Sequence, residues 1–164
     1  MERHIFKGLP IYDKEAFNDL NKHYDENKSH ILAALPWFVS ELIEGVGFKE
    51  AIEFVYNNGG KRIFLGKTSE HLSKRTGLKI SNVLFERILK QTDGSNCVDI
   101  PCPWGVSERI RWAMILCATM EGVPRDQIRD NFGISRRSLA NLYRNPKKFS
   151  SPKDTKKGVT ESHP

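Results

Sequence analysis

The chain has 164 residues, 38% of them hydrophobic and 28% charged, a globular balance that excludes a mostly disordered or collagen-like protein. Its longest uncharged apolar-leaning run, residues 31–40, contains Pro36 and is too short to span a bilayer. Three cysteines (Cys97, Cys102, Cys117) are too few for a disulfide scaffold, and no apolar segment follows the first residues as a secretory signal requires. The expected setting is therefore cytoplasmic and reducing.

The net charge of +6 is not spread evenly. Residues 1–124 hold 16 Lys and Arg against 16 Asp and Glu, whereas residues 125–164 hold 10 against 4. The whole excess lies in the last quarter, as in a protein whose C-terminal end binds a polyanion such as nucleic acid.

In chain order, residues 1–12 read as an irregular lead-in and residues 13–27 as a polar helix with Ala16, Phe17 and Leu20 on one face. Helical spacing resumes from Ser29 to Glu44, with a kink or split at Pro36. Gly45-Val46-Gly47 reads as a break, and Phe48 to Tyr56 as a further helix stopped by Asn57-Asn58-Gly59-Gly60. Lys61 to Leu65 is a short strand. Thr68 caps a helix ending before Gly77, and Ser81 to Gln91 forms another. Cys97 to Ile100 is a second short strand, terminated by Pro101 and Pro103. Ser107 is the expected cap of a long amphipathic helix from Glu108 to Glu121. Residues 147–164, rich in Lys, Ser and Pro, read as a flexible basic tail.

Residues 123–143 carry the chemistry. Pro124 and Asp126 suit a helix start. Ile128 and Phe132 make an apolar pair, Gly133 supplies a tight turn, Ile134 inserts beneath it, and Ser135 caps a second helix. Leu139 and Leu142 give that helix an inward face. This is the layout of a helix-turn-helix. Its outward positions carry Ser135, Arg136, Arg137, Asn141 and Arg144, with Gln127 and Ser138 as further candidate contacts. Arginine forks suit guanine edges or phosphates, and asparagine suits adenine. Lys147 and Lys148 follow, placed to meet phosphates. Arg129 stands where a small residue usually lets the two helices close, so its side chain must snorkel or the crossing must change.

Two segments of the chain resemble the Mor/C family of Mu-like phage transcription activators. Gly59-Gly60-Lys61-Arg62-Ile63-Phe64-Leu65-Gly66-Lys67 is similar to the family's Gly-Gly turn and short strand, and Ser107 to Arg144 to its C-terminal DNA-binding part. Gly66 stands where the family has proline. The linking region is longer than the family's, and Val98-Asp99-Ile100-Pro101 within it also resembles the strand ending, so two segments compete as the counterpart. The resemblance implies a homodimer made through the N-terminal helices and the strand, with Gly59, Gly60, Ile63, Phe64 and Leu65 at the interface. It further implies an inverted-repeat site beside a promoter, and contact with RNA polymerase.

The expected architecture is mainly α: a helical dimerisation region over 13–100 with one or two short β-strands, then a helix-turn-helix domain over 107–146. The expected function is that of a sequence-specific DNA-binding regulator of a phage or mobile element, an activator by resemblance. The rival is a non-enzymatic interaction adaptor with a nucleic-acid-binding tail. Deleting the chain after Asn145 separates them, because base readout survives that deletion and tail binding does not. Neither an enzyme nor a metal site is expected, and no cofactor. The five histidines are scattered, no phosphate loop, nucleophile elbow or HExxH motif occurs, and Cys97 and Cys102 lack a second paired cluster.

Overall fold

The computed structural model of the protein describes residues 8–145. Lys147, Lys148, the basic tail and residues 1–7 of the lead-in lie outside them. The described chain is mainly helical, with one two-stranded antiparallel sheet. Among the described residues no helix is long and apolar enough to cross a membrane.

Helix α1 (Lys14–Glu26) starts where Asp13 accepts a hydrogen bond from the Ala16 amide at 3.0 Å, satisfying one of the donors a helix start leaves open. The next helical stretch is split in two, α2 (Lys28–Ala34) and α3 (Trp37–Val46). Pro36 dictates the split: it has no N–H to donate, and it holds Leu35 extended at ψ 154°. Contrary to the sequence reading, α3 does not break at Gly45. It runs through and ends at Gly47, whose φ of 95° is open to glycine alone. Gly45 serves packing instead, since a Cβ there would overlap the Leu84 side chain.

Helix α4 (Phe48–Asn58) packs against α3 and leads into strand β1 (Arg62–Phe64). Thr68 caps α5 (Ser69–Thr76) as the sequence predicts, and Gly77 closes α5 in the left-handed region. Ser81, expected as the first helical residue, stands one position outside α6 (Asn82–Lys90) as its cap. Helix α6 lies on α3, where Arg87 meets Glu41 at 3.2 Å.

Strand β2 (Cys97–Asp99) returns to β1. The two segments that competed as one counterpart are therefore partners of each other, with Ile63 opposite Val98. The ladder extends past the strand ends, for Leu65 N–H donates to Asn96 O at 2.7 Å and Ile100 N–H to Lys61 O at 2.8 Å.

The last three helices are α7 (Pro103–Met120), α8 (Arg125–Phe132) and α9 (Arg136–Arg144). Ser107 is not the cap of α7. The helix begins at Pro103, with Cys102 as its N-cap accepting from the Gly105 amide at 3.3 Å. Proline suits this first position because it has no amide to leave unpaired and its φ is already helical. Ser107 is 3% exposed inside the helix, and its hydroxyl donates to the Gly8 carbonyl at 3.2 Å. Helix α7 packs along α2, where Arg109 donates to Ala34 O, and also contacts α8. The buried apolar side chains form a single cluster that runs from Leu9 to Leu142.

Candidate nucleic-acid interface

The residues 124–144 fold as their spacing predicts. Ile128, Phe132, Ile134, Leu139 and Leu142 are all buried. Gly133 sits at φ 62° and ψ 36°, and its amide donates back to the Arg129 carbonyl, so α8 ends in a left-handed cap. Ser135 accepts from the Ser138 amide at 3.1 Å, and its hydroxyl also meets the Ser138 hydroxyl at 2.9 Å. Ser138 is thereby part of the cap of α9.

Arg136, Arg137, Asn141 and Arg144 are exposed, as are Ser135 and Ser138. Because Leu139 and Leu142 point inward, helical geometry places Arg137, Asn141 and Arg144 together on the opposite side. Arg136 lies at the edge of that group, turned toward α8. The structure does not bring Gln127 to it. Gln127 lines a separate groove of about 200 Å³ with Asn131, His23, Met114 and Cys117, between α8, α7 and the end of α1. Burial pushes the Cys117 thiol in that groove up from its ordinary pKa, and Glu121 adds to the effect.

Two ties to α7, neither read from the sequence, hold this unit in place. Arg111 Nε donates to Phe132 O at 3.1 Å and its Nη2 to Gly133 O at 3.2 Å. One guanidinium thus covers two carbonyls at the end of α8 and pins the turn, while its Nη1 meets Glu108 at 3.0 Å. At the other end of α9, the Tyr143 and Thr119 hydroxyls are 2.9 Å apart. Thr119 gives its one proton to Ile115 O, so Tyr143 is the donor between them. Glu108, Arg111 and Thr119 lie on one side of α7, at spacings of three and eight residues, but that spacing alone does not name the carbonyls and the tyrosine hydroxyl they meet.

Arg129 snorkels. Its Nη1 reaches Asp126 at 3.1 Å, its side chain is 38% exposed, and its Nε is buried without a hydrogen-bond partner. Arg125 lies over the Tyr143 ring at 4.9 Å.

Of the five residues expected at a dimer interface, Leu65 is 1% exposed and belongs to the core of its own chain. Gly59 lies against Pro103, where a Cβ would overlap the proline ring, and Ile63 is partly buried. Gly60 and Phe64 are exposed, Phe64 by 50%. Among the described residues no three or more His, Cys, Asp and Glu side chains gather as a metal site needs. Comparison of the chain with family models, curated protein sequences and solved structures finds no match.

Proposed function

We propose that the chain is a sequence-specific DNA-binding transcriptional regulator that acts as a homodimer. The observation that carries this reading is the face of α9: Arg137, Asn141 and Arg144 exposed side by side on a helix whose start, turn and far end are all fixed. Fork donors and an amide on one rigid helix match the pattern that base edges display in a major groove. The basic excess of residues 125–164 supplies non-specific attraction to phosphates, with Lys147 and Lys148 contributing. The resemblance to the Mor/C family extends the reading to activation, contact with RNA polymerase and a phage or mobile-element origin. A two-fold dimer places its recognition helices about one turn of DNA, roughly 10 base pairs, apart or at a multiple of it.

The test is selection from genome fragments by the purified protein at physiological salt. An enriched inverted repeat is the expected result. Equal binding to all fragments, or to none, refutes the reading. Within an enriched site, Arg137→Ala relaxes preference at one base position by about 1–3 kcal/mol.

A further inference from the structure

Helices α8 and α9 do not close on each other along their whole length. Between them lies a cleft of about 560 Å³, whose walls carry Arg125, Arg129 and Arg136, with Asp126 and Tyr143 beside them. The cause is local: Arg129 is a long side chain where a short one would let the helices meet.

Three guanidiniums on one cleft repel one another unless an anion lies between them. The single carboxylate, Asp126, does not balance them, because it is 92% exposed to water and bonds only the outer end of Arg129. Arg129 Nε is buried with its donor unused. Arg136 has no ion-pair partner among the described residues. Arg125 stacks on Tyr143, which orients its guanidinium while leaving its N–H donors open. That platform is itself fixed, since the Tyr143 hydroxyl is tied to Thr119 on α7.

We propose that this cleft is a phosphate-binding site, with Arg125, Arg129 and Arg136 as its ligands. Phosphate suits it better than carboxylate. Its oxygens diverge in several directions and meet three forks at once, whereas a carboxylate offers two oxygens in one plane. The volume also accommodates the group to which the phosphate is esterified. The site differs from the α9 face, whose Arg137, Asn141 and Arg144 do not line the cleft. Two sources offer this chemistry: a phosphodiester of bound DNA, or a free phosphate-bearing small molecule. Only the first rests on the DNA-binding reading.

The experiment is a titration of the full chain with pyrophosphate, followed by NMR of the arginine Nε–H groups. Saturable shifts are expected at Arg125, Arg129 and Arg136, with Arg137 and Arg144 unmoved. Arg129→Gln weakens binding about tenfold, the loss of one charged hydrogen-bonding partner. Arg136→Gln, an exposed change that leaves the fold intact, weakens it likewise. Shifts that rise linearly without saturating, or that appear equally at Arg137, overturn the site. So do variants that bind pyrophosphate as the parent does.

The source is read from duplex DNA. If a backbone phosphodiester occupies the cleft, duplex displaces pyrophosphate, and Arg129→Gln lowers the slope of log affinity against log salt by about one. Simultaneous binding of both, with the slope unchanged, upholds the site and assigns it to a free ligand. Saturable pyrophosphate binding by a chain that binds no duplex upholds the site and refutes the DNA-binding reading.

Discussion

Replacing Arg111 by Met keeps most of the stem and removes the guanidinium that joins α7 to the helix-turn-helix. Three interactions vanish: the bonds to Phe132 O at 3.1 Å and Gly133 O at 3.2 Å, and the ion pair with Glu108 at 3.0 Å. They are not equal. Gly133 is exposed, so water replaces its bond at small cost. Phe132 is buried, and a charged bond to a shielded carbonyl contributes about 1.5–3 kcal/mol. The Glu108 pair is mostly shielded, at 16% and 24% exposure, and adds roughly 1 kcal/mol. The sum is a loss of about 2–4 kcal/mol, which lowers the melting temperature by roughly 5–15 °C in a chain of this size. Urea unfolding measures the total, and amide hydrogen exchange locates it. The α8 and α9 amides should speed up most, those of α3 and α4 only as global stability falls. Arg137→Met, on an exposed site, is the control and changes stability by no more than about 0.5 kcal/mol. An Arg111→Met protein within about 0.5 kcal/mol of the parent, or exchange raised evenly across all helices, refutes the anchoring argument.

Other perturbations test the body of the fold. Gly59→Ala suffers no backbone strain at φ −57°, but its Cβ overlaps the Pro103 ring and stands 2.8 Å from the Val55 carbonyl, neither of which can swing aside. It costs about 2–3 kcal/mol in urea unfolding, against roughly 1–2 for Gly60→Ala, which has open space but a φ of 77°. Equal losses, or the reverse order, contradict this packing. If β1 forms the dimer contact, Phe64→Lys shifts sedimentation toward monomer, and an unchanged dimer removes β1 from the interface. Burial raises the Cys117 pKa in the folded state, so its stabilising effect is complete below the ordinary thiol pKa and is lost as pH rises through the raised value. The stability of Cys117→Ala, compared with the parent at about pH 7 and about pH 10, should fall less across that interval. An equal fall in both proteins argues against it.

Most helix limits were legible because they are written locally. Thr68 and Ser135 cap the helices they were expected to cap, Asp13 and Ser81 shift by one position from expected first residue to cap, and Pro36 and Gly133 interrupt where their backbone preferences require. The start of α7 was misread for a non-local reason. Ser107 has a cap's hydroxyl, but that hydroxyl is committed to Gly8, 99 positions away, and the cap is a cysteine. Gly45 resembled a stop signal because the side chain it accommodates, Leu84, lies on another helix. The pairing of β1 with β2, the Arg111 tie and the arginine cleft all join residues far apart in sequence. Local periodicity carries no information about such contacts. Gln127 was placed with the α9 residues on spacing alone, whereas the packing of α8 turns it to the far side.

The packing of α2 against α7 has a consequence for the order in which the protein is made. Ala34 and Arg109 are 75 residues apart, and Ile63 of β1 meets Val98 of β2, 35 positions further on. As synthesis proceeds, α2 emerges with only α1 beside it and β1 with no strand to pair with, while α3 and α4 can pair at once. The N-terminal half therefore leaves the ribosome with an uncovered apolar side, and it stays so until α7 has been translated. Closing such a long loop also costs roughly 3 kcal/mol more than closing a contact between neighbours, so these pairings form late. The nascent chain is most open to chaperones and to aggregation in that interval, and a pause in translation before α7 would prolong it.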